Sequence, residues 1–241
     1  MRLNRFLALS GLGARRKSET LVWEGRIEVN GVTAESPGLT VDPDKDRITC
    51  DGERLRPPRV FLYAAMHKPS GLIVSASDER GRPTVYDMLP ERLRGKVRAV
   101  GRLDQASEGL LLFTNDGELA HALLHPSSGV ERTYMAWVTP PPSPVSLGTL
   151  RSGVPLGRGQ RSGGAQVRVL GTRGSTSRVR VIIREGKNRE VRRMFRAIGC
   201  RVLALRRVQY GAVVLGGLRP GQSRNLLPSE VAALRRATES P

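Results

Sequence analysis

Apolar residues recur at two different spacings along this 241-residue chain, and the switches between them mark out its elements. Leu3 to Leu9 has helical spacing and ends at Ser10, Gly11 and Gly13. Arg15 to Trp23 repeats that spacing, with Ser18, Leu21 and Val22 inward, Arg15, Arg16 and Glu19 outward, and Gly25 as the stop. From Arg26 charged and apolar residues alternate strictly into the turn Asn30-Gly31, the signature of a hairpin. Residues 48–50 add a short strand before Asp51-Gly52. Two short helices and a small sheet bury little core, so this unit offers a binding surface more than a place for catalysis.

The run Arg56, Pro57, Pro58, Arg59 interrupts the pattern, because the prolines have no place inside a helix or a central strand. It sets the expected boundary: a small domain at 1–56, a linker at 57–60 and a large domain at 61–241. There, 61–65 reads as a strand and 67–71 as the turn after it. Thr84, with Asp87 three residues on, reads as the capping box of a short helix that buries Met88, Leu89 and Leu93. Residues 97–100 and 110–113 are short apolar runs closed by Gly or by Asn115-Asp116-Gly117, hence buried strands. Asn115 caps a helix to Leu124 that Pro126 stops. Residues 132–138 alternate, with Tyr134, Ala136 and Val138 on one face and Thr133, Met135 and Trp137 on the other. After the prolines of 139–144, the glycine-rich 153–174 reads mostly as loops around a strand at 166–170. Strands at 179–183, 202–205 and 208–214, one more after Pro220-Gly221, and a helix from Pro228 or Ser229 to Arg236 complete the pattern. The fold class is α+β, with a mixed, mainly antiparallel sheet flanked by helices.

Charge changes this picture. Forty Lys and Arg against twenty-two Asp and Glu leave a formal net charge of +18. So strong a positive field calls for a polyanion, and the planar donor fork of Arg favours the phosphates and bases of nucleic acid over a membrane surface. The longest apolar run is far short of the ~20 residues that cross a bilayer, and no long hydrophobic segment near the start leads to a cleavage site. A cytoplasmic protein is expected. Cys50 and Cys200 are distant and lack metal-like spacing, and His67, His121 and His125 form no ligand set, so neither a metal nor a cofactor is expected. The glycines of 153–174 do not match a phosphate loop.

Two stretches carry candidate chemistry. Asp104 lies between two apolar runs, beside Arg102, with Gly101 and Gly109 allowing tight backbone paths. Such an acid is either a turn residue accepting backbone hydrogen bonds or a carboxylate held for reaction. From 189 to 198, Val191, Met194, Phe195 and Ile198 share an apolar stripe, and Arg189, Arg192, Arg193 and Arg196 a basic one. Cations crowded at a helix N-terminus oppose its dipole. The cost is understandable if their partners are a carboxylate from elsewhere in the fold and RNA phosphates.

The residues from Leu3 to Gly31 resemble the S4-type RNA-binding domain, a likeness that spans 1–56 and implies that Asn4, Arg5, Arg15, Arg16, Lys17 and Arg26 face structured RNA. Gly101, Arg102, Leu103 and Asp104, then Arg132, Thr133 and Tyr134, then the run Gly186 to Arg192, resemble in that order the RNA pseudouridine synthases. The likeness is to the bacterial branch that modifies ribosomal RNA and carries an N-terminal S4-type domain; residues 110–120 and His125-Pro126 look like its large-subunit members. It implies isomerisation of uridine to pseudouridine in ribosomal RNA by base flipping, without metal or cofactor. Asp104 would be the catalytic carboxylate, Tyr134 would lie against the base, Arg192 would pair with Asp104, and Arg102 would sit near the flipped nucleotide. Lys187, Arg189, Arg193 and Arg196 would face RNA, and Leu205 would wall the pocket. The partner implied is ribosomal RNA or a pre-ribosomal particle, with the protein a monomer. Two departures from the family pattern stand out. Glu190 replaces the usual Gln, which implies an ion pair with Arg193 or Lys187, and Arg132 replaces a common Lys, which implies altered phosphate geometry. The competing reading is a catalytically inactive, RNA-binding ribosome assembly factor. A basic structural ribosomal protein would leave the large domain unexplained.

Overall fold

The structure, a computed structural model, describes residues 1–12, 15–57, 60–76, 78 and 80–239, with only the backbone of Arg15 and Arg16. The expected RNA-facing side chains of Arg15 and Arg16, and half of the expected linker, therefore lie outside the described residues. By its internal contacts the chain divides into two compact units, residues 1–61 with 115–117, and 62–114 with 118 onward.

The small unit holds α1 (Leu3–Leu9) and α2 (Arg15–Trp23), then β1 (Ile27–Val29), β2 (Val32–Thr33), β3 (Ile48–Cys50) and β4 (Glu53–Arg54). The strands form one antiparallel sheet in the order β2-β1-β3-β4. The β1–β2 turn places Asn30 at φ 55° and Gly31 at φ 84°, which only these residue types adopt readily. Leu3, Phe6, Leu7, Val22, Ile27 and Ile48 make its core, and Ser18 is also buried, on the inward side of α2.

The large unit contains β5 (Tyr63–Lys68), β6 (Arg98–Ala99), β7 (Glu108–Thr114), α3 (Gly117–Leu124), β8 (Arg132–Thr139), α4 (Pro144–Ser152), β9 (Pro155–Gly157), β10 (Gln160–Arg161), β11 (Gln166–Arg173), β12 (Thr176–Ile183), α5 (Glu190–Ala197), β13 (Arg201–Tyr210), β14 (Val213–Val214), β15 (Ser223–Asn225) and α6 (Pro228–Glu239). Its main sheet runs β11-β12-β8-β13-β7-β5-β15, with β14 on β13 and β6 on β7. Among these strand pairs only β13 with β7 is parallel, so the sheet is mixed and mainly antiparallel as the sequence predicts. One face packs Met66, Leu111, Phe113, Ala136, Val179 and Val181 against Leu150 of α4 and Val191, Met194 and Phe195 of α5. The other packs Ala65, Leu110, Leu112 and Tyr210 against Leu119 and Leu123 of α3 and Leu234 of α6. No helix among the described residues is long and apolar enough to cross a membrane.

Four local expectations are corrected. The capping contacts of Thr84 form, with its amide and hydroxyl reaching Asp87 at 2.8 and 3.0 Å. Yet the segment proceeds as turns, because Pro90 lacks an amide and disfavours helical geometry at Leu89; Leu89 and Leu93 are buried while Met88 is exposed. α3 starts at Gly117, so the residue ahead of it is Asp116 and not Asn115. β5 continues through His67 and Lys68, and the turn begins at Pro69. Residues 201–210 form one strand, with two bulges in its pairing to β8, where the sequence suggests a break at Arg206-Arg207. The glycine-rich region is also more regular than expected, since β11 and β12 form an eight-by-eight residue hairpin.

Candidate active site

Asp104 sits on the connection from β6 to β7, and two glycines make that path possible. Gly101 has φ +74°, and a Cβ there would lie 2.9 Å from Leu124 Cδ2. Gly109 has φ +109°, and a Cβ there would meet the Arg207 carbonyl oxygen at 2.2 Å. Both are positions that a side chain would disrupt. The loop is also tied from below. Lys68, with no exposed surface, donates from Nζ to the carbonyls of Ser107 at 2.7 Å, Pro69 at 3.0 Å and Gln105 at 3.3 Å. Burial pulls its ammonium down to about 8, with Asp104 and Glu108 opposing. The Asp104 backbone carbonyl accepts from the Ser107 amide, and its carboxylate remains 26% exposed.

Two arginines of the α5 region flank that carboxylate. Arg189, the N-cap residue, takes a left-handed conformation at φ 49° and ψ 33° and places Nη1 3.5 Å from Asp104 Oδ2. Arg192 is held by the fold: Nη1 donates to the Val202 carbonyl at 3.1 Å, and Nη2 to the Ala106 carbonyl at 2.9 Å and Ser107 Oγ at 3.4 Å. Its Nε lies 3.9 Å from Asp104 Oδ2 and makes no hydrogen bond. Burial and then the Arg189 cation pull the Arg192 guanidinium below its ordinary value, with Asp104 pulling it back. Both separations exceed the ~2.7–2.9 Å of a closed charge-assisted hydrogen bond. The carboxylate is therefore balanced by positive charge without being locked, and it keeps room for a substrate atom.

A cleft of about 290 Å³ opens over Asp104, walled by Tyr134, Leu205 and Arg207 and edged by Arg102, Lys187 and Arg189. Tyr134 lies on the inward face of β8, level with Val181 and Arg207 of the neighbouring strands. Arg207 is 3% exposed. Its Nε donates to the Leu110 carbonyl at 2.7 Å, while its buried Nη2 has no partner. Unspent donors are costly in a protein interior, so Arg192 Nε and Arg207 Nη2 give the site a capacity to bind acceptors.

The sequence-predicted residues divide into three groups. Asp104, Tyr134, Arg102, Lys187 and Arg189 line this cleft. Arg189, Arg192, Arg193 and Arg196 line a second, more basic one beside Arg158. Arg193 gives its donors to the carbonyls of Leu156, Gly157 and Asn188 and to Gln160 Oε1, whereas Arg196 is exposed. Asn4, Arg5, Lys17 and Arg26 belong to the small unit. Asn4 donates to Glu19 at 2.8 Å, Lys17 is exposed, and Arg26 forms a two-pronged pair with Asp51 and a contact with Glu24.

Two expectations drawn from departures fail. Arg132 does not point outward to phosphate. It is 6% exposed, donates to the carbonyls of Val130, Arg184 and Leu123 and to Tyr210 Oη, and stacks over the Tyr210 ring at 4.9 Å. Glu190 pairs with neither the Lys187 ammonium, which goes to Glu185 at 2.6 Å, nor Arg193. Sequence reasoning also missed Lys68, Arg207 and Glu185. The available signal for the first two was a charge on the inward side of an otherwise apolar strand.

Comparisons with known proteins identify the family. Residues 62–197 match the family described as RNA pseudouridylate synthase, and residues 1–48 match the S4 domain. An uncharacterized RNA pseudouridine synthase of Mycobacterium tuberculosis is 42% identical over 240 residues, covering 98% of this chain and 94% of that one. The ribosomal large subunit pseudouridine synthase B of Bacillus subtilis is 39% identical over 238 residues, covering 97% and 95%. A crystal structure of a pseudouridylate synthase aligns with a TM-score of 0.71 at 29% identity, over 97% of this chain and 99% of the other. Fold and family matches thus define an enzyme that acts on RNA and carries an S4 domain at its N-terminus. The chain belongs to the RNA pseudouridine synthase family, whose reaction isomerises uridine within RNA.

Proposed function

We propose that this enzyme converts a specific uridine of large-subunit ribosomal RNA to pseudouridine, with Asp104 as the catalytic carboxylate. The observation that carries the reading is the Asp104 carboxylate at the base of an aromatic-walled cleft, 3.5 and 3.9 Å from two arginine nitrogens. The reaction breaks the bond from the ribose to N1 of uracil and makes a bond from the same ribose carbon to C5. The C5 proton leaves and N1 gains one, so no oxidant or external group is consumed. Asp104 supplies negative charge where the sugar becomes electron-poor, either by adding to it or by stabilising it. Tyr134 lies against the detached base and holds it while it turns. Arg192, fixed by Val202, Ala106 and Ser107, balances Asp104.

A paired base cannot reach this cleft, so the nucleotide is turned out of its stack with Arg102 at its edge. The exposed Arg196 takes a flanking phosphate, with Lys187 and Arg189 adding positive charge at the edge of the cleft. The S4 domain, bounded at 56 and joined through 57–60, adds RNA affinity through Asn4, Arg5, Arg15, Arg16, Lys17 and Arg26. The choice of large-subunit RNA is supported by the names of the relatives from Bacillus subtilis and Xylella fastidiosa, both large-subunit synthases B. The enzyme works as a cytoplasmic monomer on ribosomal RNA or a pre-ribosomal particle.

The test is to incubate the protein with unmodified large-subunit RNA and precursor particles, map pseudouridine, and compare Asp104→Asn. One new pseudouridine is expected with the parent protein, and at least about a 10³-fold loss of turnover with the variant, at similar RNA affinity. Product from both proteins would remove Asp104 from the mechanism. Product from neither would leave an RNA-binding assembly factor built on this fold.

A further inference from the structure

Glu185 and Glu190 both line the cleft, and both hold Lys187, Glu185 through its ammonium at 2.6 Å and Glu190 through its amide at 3.0 Å. Two acids gathered on one lysine share a single cation, which favours one negative charge between them and a proton on the other. The surroundings decide which. Glu185 Oε1 accepts the Gly163 amide, and Oε2 pairs with the Lys187 ammonium at 2.6 Å. Glu190 is only 4% exposed. Its Oε2 accepts the Lys187 amide at 3.0 Å, and no donor reaches its buried Oε1. An ionised Glu190 would leave that oxygen uncompensated, whereas a protonated one turns it into a donor. We propose that Glu190 is a positioning residue: its carboxyl group stays protonated in the folded protein and donates to Glu185, closing the turn that holds Arg189 beside Asp104.

The turn is closed at several points. The Glu190 amide donates to the Lys187 carbonyl at 3.1 Å, and the Arg193 amide to the Arg189 carbonyl at 2.9 Å. Arg189 is the left-handed residue between these ties. Ionising Glu190 would set a buried negative charge beside that of the partly exposed Glu185 at the base of the turn. The other charges around it leave the pair to settle its own proton. Lys187 is taken by Glu185 and by the Arg161 carbonyl. Arg132, on β8 beside Gly186, is spent on carbonyls and Tyr210. Arg193 is spent on Leu156, Gly157, Gln160 and Asn188, and Arg189 faces Asp104. Consistent with this, burial and the neighbouring Glu185 raise Glu190 to about 8, while Glu185 falls to about 2, held down by Glu190, Lys187 and the Gly163 amide against the effect of its burial.

The sign follows. A carboxyl group raised in the folded state gives stability that is complete below its unfolded value of 4.5 and is lost as pH climbs through about 8. The opposite shift of Glu185 acts below 4.5, outside that window. Glu190→Gln supplies an amide donor at every pH, and Glu190→Leu supplies none. Thermal midpoints of the full chain should show Glu190→Gln gaining on the parent from about pH 5 to about pH 8 and then levelling. Parallel curves for the two proteins over that range would overturn the shared proton. The consequence for Arg189 rests on the function proposed above. Parent turnover should fall beyond about pH 8 more steeply than that of Glu190→Gln, in which only the loss of the Lys68 proton remains, and Glu190→Leu should be impaired throughout. A fall of equal size in the parent and Glu190→Gln would overturn the positioning role. If the midpoints diverge as expected and neither protein modifies RNA, the shared proton stands and the proposed reaction falls.

Discussion

Lys68 is an ammonium with no exposed surface, and three carbonyls around it explain how the interior tolerates it. Two of those carbonyls, on Gln105 and Ser107, belong to the loop that carries Asp104, so the cation is a clamp on the carboxylate's backbone. Replacing it by Met would keep the stem and orphan the acceptors. About 1–3 kcal/mol of stability should be lost at neutral pH, offset in part by the desolvation no longer borne. Turnover should fall more than substrate affinity, because Asp104 is displaced relative to Arg192 rather than removed. The pH dependence has a definite sign. Lys68 is depressed from 10.5 to about 8 in the fold, so the unfolded chain binds more protons between those values and stability rises with pH there. Thermal midpoints should therefore separate further in favour of the parent from about pH 8 to pH 10. A constant gap would mean that Lys68 is not the buried cation described.

At the scale of elements, the parallel contact of β7 and β13 places the site. Gly109 stands opposite Arg207, and an added Cβ would lie 2.2 Å from the Arg207 carbonyl oxygen and 2.7 Å from its amide nitrogen. Gly109→Ala therefore meets backbone that cannot swing away, at a φ that side chains resist. A loss of about 3 kcal/mol or more in denaturant unfolding is expected. Gly117→Ala, with nothing within 4 Å, should change little. The importance of Gly109 was legible in the sequence as a tight backbone path, but its partner strand was not. Arg206 and Arg207 interrupt an apolar run and so look like a break. In the fold Arg206 pairs with Glu108 at 2.6 Å and Arg207 bonds the Leu110 carbonyl, which makes charges acceptable inside a strand. β8 was legible down to its two faces because nothing disturbs its alternation. The Thr84 segment misled because a genuine capping signal was followed by Pro90. α4 was hidden because Ser143 and Pro144, a hydroxyl cap and a proline in the first turn, read as the end of a proline-rich break. The carboxylate and its arginines emerged from motif order. The proposed pairing of Glu185 with Glu190 did not, since no spacing rule joins two acids five residues apart.

For the molecule as a whole, a net charge of +18 asks where the positive charge is placed. Part of it covers a sheet face that no helix among the described residues shields. Val167, Val179, Val181, Ala136 and Val138 turn inward from β11, β12 and β8. The alternate positions Arg168, Arg178 and Arg180 are exposed, with Met135 and Trp137 half-buried between strands. The register sets Arg168 directly opposite Arg180, and Arg178 opposite Trp137. Like charges opposite each other destabilise a sheet, so the isolated protein bears a cost that a polyanion would relieve. Arg206 lies over the Trp137 ring at 5.8 Å and is already neutralised by Glu108, which leaves the other three for phosphate. Changing Arg168, Arg178 and Arg180 together to Gln should hold or raise the thermal midpoint, because repulsion is removed. Affinity for full-length ribosomal RNA should fall. If each arginine meets one phosphate, the slope of log affinity against log salt should become shallower by about 2–3, at roughly 0.7–0.9 for each phosphate no longer neutralised. An unchanged slope with reduced affinity would mean that the face acts through shape alone, and an unchanged affinity would mean that RNA does not reach it.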